Sequence, residues 1–384
     1  MSTQIQHRRG TTVQHSTFTG AVGEITQDIT KKALVSHDGV TVGGFPLAHG
    51  GKDLAAFIGF KKPTIGAHCF NKTGAGTISI LANTAVTFNG SLISFSVDTA
   101  VVMPTLTAGT DYAIYACTDG TIRADASFTV PSGYTTLTSL QIGGFHYAIG
   151  GVATAQAGGT TTPAINAYSI WDLKFKPECA DPRGMALISG RFWADIYMLG
   201  VDYLVNGSSS YNKAIATGAA PPKVSTMFGG NGTTTYANGN WWNLGEALCT
   251  VGKRHPTYLE FQALAYGTTE AVASGGTLVA TTGVTGTGAT SAWNIFTSKF
   301  GIIQATGCVD VWGDTFGGGA AAAGWVANTD GRGQTYQLSN AAIFGGAWGD
   351  GAIAGSRSSV WSNSPTYSAN SVGARGVCDH MVLV

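Results

Sequence analysis

The sequence predicts a mostly β protein whose last part turns α+β. Three observations carry that expectation. Charged residues make up 11% of the 384, less than half the usual share of about 25%. Glycine takes 55 positions, roughly twice its usual frequency of about 7%, and with Ser, Thr and Ala it suits short strands joined by tight turns. Turn signals also recur between alternating apolar runs, at Asp38-Gly39, Asn89-Gly90 and Asp119-Gly120. Apolar residues are an ordinary 44% and spread along the whole chain, which argues against disorder.

The chain divides into three parts. Residues 1–48 hold short β-like pieces around EITQDITKKALVSHDGVTVGGFPLA. So small a segment buries little surface alone, so it is expected to share a core with other copies in an oligomer. Residues 49–169 read as a β-sandwich, with hairpins at VTFNGSLISF and DYAIYACTDGTIRADASF. Residues 170–384 contain all nine tryptophans, from Trp171 to Trp361. They also carry the best helix signals. In GKRHPTYLEFQALAYG, Thr257 and Glu260 form a capping box, Tyr258, Leu259, Phe261, Leu264 and Tyr266 supply an apolar face, and Gly267 is the stop. A second helix is expected over WWNLGEALCTVG, followed by Gly-rich loops and short strands.

Catalytic patterns are sparse. Asp310 and Asp314 are four apart beside Trp312, but a glycosidase pair needs facing geometry that spacing does not supply, so two turn aspartates are expected. Cys378-Asp379-His380 suggests a thiol with a base. Read as a final strand, CDHMVLV puts Cys378 and His380 on one face, with Cys378 in the core. Gly283, Gly286 and Gly288 lack the strand-to-helix setting of a nucleotide loop. The six cysteines form no C-x-x-C pair and are expected as buried thiols, with a Cys308–Cys378 bridge the lesser alternative. No metal-ligand spacing appears, so no cofactor is expected, and a structural calcium or magnesium ion stays open.

Lys plus Arg equals Asp plus Glu at 21 each. No basic excess exists to draw in nucleic acid or anionic lipid. No apolar run is long enough to enter a bilayer. MSTQIQHRRGTTVQ has charge and no apolar core of a secretory signal, so folding in a cytoplasm is expected.

Four stretches of the last part resemble the C-type lectin fold, in the branch of the formylglycine-generating enzymes: GKRHPTYLEFQALAYG, FGIIQATGCVDVWGD, IFGGAWGDG and VGARGVCD. The resemblance implies core roles for Trp312 and Trp348. Enzymes of that branch use cysteines after the Gly-Gly-x-Trp motif, whereas residues 349–377 hold none. The EPN, QPD and WND motifs of calcium-dependent lectins are absent as well. An oxidase and a calcium-dependent lectin are therefore the weaker alternatives, and no enzyme activity is expected.

Longer segments, including RRGTTVQHSTFTG, SHDGVTVGGFPLA, DPRGMALISGRFWADIYMLGV, GTGATSAWNIFTSKFG and GARGVCDHMVLV, resemble the tropism determinants of Bordetella bacteriophages. These are retroelement-diversified variable proteins. The resemblance implies an N-terminal β-prism, a middle β-sandwich and a C-terminal C-type lectin domain in an intertwined homotrimer. It implies a place in the virion at tail-fibre tips, contacts with tail-fibre components, and binding to a protein on the bacterial outer surface. Within 344–376 it assigns the varied, receptor-binding positions to Ala347, Gly349, Asp350, Gly351, Ile353, Val360, Ser362, Asn363, Tyr367, Ala369, Ser371 and Val372. Phe344, Gly345, Gly346, Trp348, Gly355, Ser356, Arg357, Trp361, Pro365, Gly373, Arg375 and Gly376 would be scaffold, with Arg357 and Arg375 bonding loop carbonyls.

Overall fold

Strands dominate the computed structural model, which describes residues 8–47, 59–286, 292–320, 324–327, 332 and 334–383. The boundary expected at 48/49 and Gly288 lie outside the described residues.

The first part is one four-stranded sheet in the order Arg8–Gly10, Ile25–Asp28, Ala33–Ser36, Phe45–Pro46; the first pair is parallel. Its interior is partly polar. His15 Nε2 and His37 Nε2 each lie 2.8 Å from the Thr26 hydroxyl. Val13, Val22, Val40, Val42 and Phe45 stay exposed. Asp38-Gly39 is not the two-residue hairpin expected. The connection runs over 37–44, and Asp38 Oδ1 accepts from the amides of Val40 and Thr41. That side-chain turn replaces the double positive φ of a type I′ turn.

Asn89-Gly90 does form the tight hairpin, with φ of +46° and +73° and Phe88 paired to Ser91. Asp119-Gly120 closes a hairpin of another kind. Only Gly120 has positive φ. Gly120 N donates to Cys117 O and Cys117 N to Thr121 O, as in a type I turn with a bulge. Two three-stranded sheets, one containing Ile78–Ile80 and the other Thr84–Phe88, pack on Thr110–Cys117 and Ser139–Ala148. Phe70, Ile80, Val86 and Phe95 there share one core with Tyr112, Ile114, Ile142 and Phe145.

The sheet does not stop at residue 169. Trp171–Asp172 pairs with Gly143–Gly144, Phe175–Pro177 pairs with Val377–Val382, and that final strand pairs with Phe192–Asp195. One nine-stranded sheet thus joins the second and third parts. Cys378 is buried in its last strand, as expected, while Asp379 is exposed. All six cysteines are free thiols, and five are buried.

Two helices of more than one turn cover the third part, besides the short Tyr203–Asn206. Asn240 caps Trp241–Thr250 by accepting from Asn243 N. The Thr257–Glu260 capping box starts Tyr258–Ala265, and Gly267 follows with φ of +99°. Phe261, Leu264 and Ala265 are buried. Leu259 and Tyr266 are exposed, contrary to expectation. A short helix buries one stripe at i, i+3 and i+4, and Leu259 lies outside the stripe through Phe261. Beneath these helices lies a second sheet, in the order Ser359–Asn363, Ser339–Phe344, Asp310–Ala320, Val372–Gly373. Trp312 is fully buried in it. Arg375, also fully buried, donates to the carbonyls of Asp195, Ile196, Ile303 and Gln304.

Candidate functional site

The site grows from the strand Ser339–Phe344. Gly345 and Gly346 end it with φ of +97° and +82°, a region costly for other residues. A Cβ on Gly345 would sit 2.9 Å from the Phe261 ring, and one on Gly346 2.7 Å from Ala354 Cβ. The loop that follows is pinned mostly by backbone. Gly307 N bonds Gly345 O, Trp348 N bonds Cys308 O, Gly275 N bonds Trp348 O, and Ala271 N bonds Ala354 O. Ser356 gives its amide and hydroxyl to the Glu270 carboxylate.

The chain returns along the edge strand Ser359–Asn363, where Ile343 pairs with Val360 and Phe344 with Ser359. Val360 and Ser362 point to solvent, while Trp361 turns inward against Tyr258 and Phe344. A second loop is held through Gly218, whose amide reaches Ala369 O and whose carbonyl accepts from the Ser368 hydroxyl. It ends at Val372–Gly373, beside Asp310 and Val311.

Of the twelve assigned positions, Gly349, Gly351, Ile353, Val360, Ser362 and Tyr367 are exposed. Ile353 is the most open of the large side chains at 72%, and Tyr367 reaches 41%. Asp350, Asn363, Ala369 and Ser371 are half-buried. Ala347 and Val372 are buried, at 6% and 1%. The expectation of an all-surface set therefore fails at those two. Ala347 forms an isolated bridge with Cys308, and Val372 packs in the core with Trp312 and Leu244. The scaffold expectation needs three corrections. Trp348 and Trp361 are only half-buried, packed against the edge of the core. Arg357 is exposed, and it is its own carbonyl that accepts from the Tyr258 hydroxyl.

Charge inside the loop is concentrated in one carboxylate pair. Asp310 Oδ1 accepts from Gly346 N at 3.0 Å, and Asp350 Oδ2 accepts from Ala347 N at 2.7 Å. Burial, and then the nearby Asp350 charge, push Asp310 up to about 7. Asp314 is exposed, and its amide is turned to Pro256 O, so Asp310 and Asp314 form no acid pair. His380 Nδ1 accepts from Trp193 Nε1 at 2.9 Å, which ties the imidazole to the core and not to a nucleophile. Among the described residues, no three His, Cys, Asp or Glu side chains gather to hold a metal.

Residues 5–41 match the family described as "Major tropism determinant N-terminal domain", and residues 68–172 the one described as "Mtd second domain". The tail fiber receptor-binding protein of Bordetella phage BPP-1 is 57% identical over 383 residues, and the match covers both chains in full. The chain belongs to the major tropism determinant family. Solved structures of the P3c and I1 variants of the Major Tropism Determinant, each 56% identical, superpose with TM-scores of 0.87 and cover 99% of this chain and all of their own.

In this tropism determinant the assigned loop also borders a groove that the sequence pattern did not single out. A cavity of about 620 Å³ is lined by Leu259, Gln262, Tyr266, Glu270, Ser356 and Arg357. The signal for it lies in the helix. Leu259 departs from the i, i+3 stripe through Phe261, and that spacing alone assigns it to the surface.

Proposed function

We propose that the chain is the receptor-binding protein at the tip of a phage tail fibre, and that it holds a protein of the bacterial outer surface through the loop face of its third part. The carrying observation is the division of labour in 344–376. Backbone bonds fix the loops, while Ile353, Val360, Ser362 and Tyr367 project without structural duties. A fixed backbone lowers the ordering cost of binding and lets side chains change without refolding. The family membership and the name of the phage BPP-1 relative support the same reading.

The finer architecture follows from the family resemblance: a β-prism, a β-sandwich and a C-type lectin domain in an intertwined homotrimer. The exposed apolar residues of the first part support assembly, because a shared core would cover them. The twelve positions, Ala347 and Val372 included, are the ones a retroelement would vary; at the two buried ones, size is restricted. Three copies per fibre tip compensate for a modest single-face affinity. No cofactor, nucleic acid or membrane insertion enters this mechanism, so chelating calcium leaves binding unchanged. Among the described residues no helix is long and apolar enough to cross a membrane.

The test is selective substitution. Tyr367→Ala and Ile353→Ala weaken phage adsorption about tenfold or more, the effect of losing an interface anchor, with unfolding unchanged. Trp312→Ala destabilises the fold by about 3–5 kcal/mol. Full adsorption by a Tyr367→Ala, Ile353→Ala double variant would place the receptor contact elsewhere. Loss of binding on chelation would return the calcium-dependent lectin.

A further inference from the structure

Two cysteines that receptor binding does not use face each other across the nine-stranded sheet. The register runs Phe175 with Val382, Lys176 with Met381 and Pro177 with His380. Glu178 N then donates to Asp379 O, and Leu383 N to Lys174 O. One further antiparallel step sets Cys179 opposite Cys378. Hydrogen-bonded pairs fall at 174/383 and 178/379, so by alternation 179/378 is a non-hydrogen-bonded pair. There Cα atoms approach to about 4.5 Å, inside the roughly 4.4–6.8 Å a disulfide spans. Both residues are buried in one cluster with Met185 and Trp193.

The surroundings suit thiol chemistry. The two thiols interact, which holds Cys378 below its ordinary range and Cys179 above it. The Lys253 ammonium, fixed by Asp195 and Ser208, favours a thiolate at Cys378, while the Asp195 charge beside it opposes one. A cavity of about 270 Å³ is lined by Asp181, Ser208 and Lys253. Cys179 Sγ donates to the Asp181 carbonyl at 3.3 Å. Cys179 and Cys378 are themselves buried, at 4% and 5% exposure, so the oxidant reaches them when the end of the strand pair opens. The Cys308–Cys378 bridge considered from sequence has no such geometry. Cys308 packs in a different cluster, with Phe296 and Phe344.

We infer that Cys179 and Cys378 form a latent disulfide site, reduced when the chain folds and closed later by a low-molecular-weight disulfide. The Cys378 thiolate attacks one sulfur of that disulfide, forms a mixed disulfide and expels a small thiolate. Cys179 then gives up its proton, its sulfur attacks Cys378 Sγ, and the second small thiolate leaves. Two protein thiols are oxidised and one external disulfide is reduced to two thiols. The new bond ties the entrance of the third part to the C-terminal strand. It closes a loop holding both helices and the variable face, and so restricts the unfolded chain. This chemistry is independent of the receptor-binding reading.

The test uses the full chain in oxidised glutathione at about pH 8, where thiolates are populated, followed by denaturation and alkylation. Alkylatable thiols are expected to fall by two from the six, with peptide mapping showing Cys179 joined to Cys378. Cys249→Ser behaves the same way, whereas Cys179→Ser forms no internal bond. Oxidation raises the thermal midpoint of the wild-type chain and of Cys249→Ser, reductant reverses it, and Cys179→Ser shows no rise. The inference is overturned if Cys179 and Cys378 still alkylate in full, or if the bond joins Cys308 or Cys249.

Discussion

Arg375 directs its hydrogen bonds to the carbonyls of Asp195, Ile196, Ile303 and Gln304, where a strand end meets a loop. Burial lowers it to about 10, still charged at neutral pH. Arg375→Met takes the guanidinium donors from those carbonyls, of which Ile196 O keeps the Ile303 amide, and is expected to cost roughly 3–5 kcal/mol in urea unfolding. Arg357→Ala, at an exposed guanidinium, is expected within about 0.5 kcal/mol of wild type. Asp310 makes a second case. Its folded-state value, about 7, lies above the unfolded one. The stability it contributes is complete below about pH 4 and is lost as pH rises through 7. Asp310→Asn keeps an acceptor for Gly346 N and is expected to stabilise by on the order of 3 kcal/mol near pH 8, with no gain near pH 4. Thermal unfolding at the two pH values measures this. Equal effects at both would show that Asp310 is not held neutral.

At the scale of elements, the Tyr258–Ala265 helix depends on its start. The Thr257 hydroxyl accepts from Glu260 N, and Glu260 in turn accepts from Thr257 N and from Arg254. Thr257→Ala is expected to cost about 1 kcal/mol. Leu259→Ala, on the open face, should leave unfolding unchanged. If it also weakens adsorption, the groove beside Arg357 belongs to the receptor surface. The loop after Phe344 is pinned for a reason that belongs to the element. Its amides and carbonyls are paired with residues 270–275 and 307–308 of neighbouring segments, so its shape does not depend on what Ile353 or Tyr367 happens to be.

For the whole molecule, the continuous sheet makes the second and third parts one mechanical unit, while the first part is thin and apolar outside. Val22→Asp with Val40→Asp is expected to reduce self-association in sedimentation equilibrium, because both residues are exposed in the single chain. The proposed trimer would cover them. An unchanged mass would move the assembly surface to the second or third part.

Local features were legible in the sequence wherever a few neighbouring residues decide them. Asn89-Gly90 made its type I′ turn, Thr257 and Glu260 made their capping box, and the final strand, Val377–Val382, formed with Cys378 inward. Each depends on φ preferences or on side chains within four positions. The proposed receptor-binding set rests on family resemblance alone, since Gly, Ser, Ala and Val carry no chemistry that marks a binding face. The tertiary structure alone decided that Ala347 and Val372 are buried, that Arg357 is exposed while Arg375 is enclosed, that Asp310 answers to Asp350 and not Asp314, and that Cys378 meets Cys179. These pairings span from forty to about two hundred positions of chain. They are set by which strands lie side by side, and strand order is a property of the packed whole that no local preference encodes.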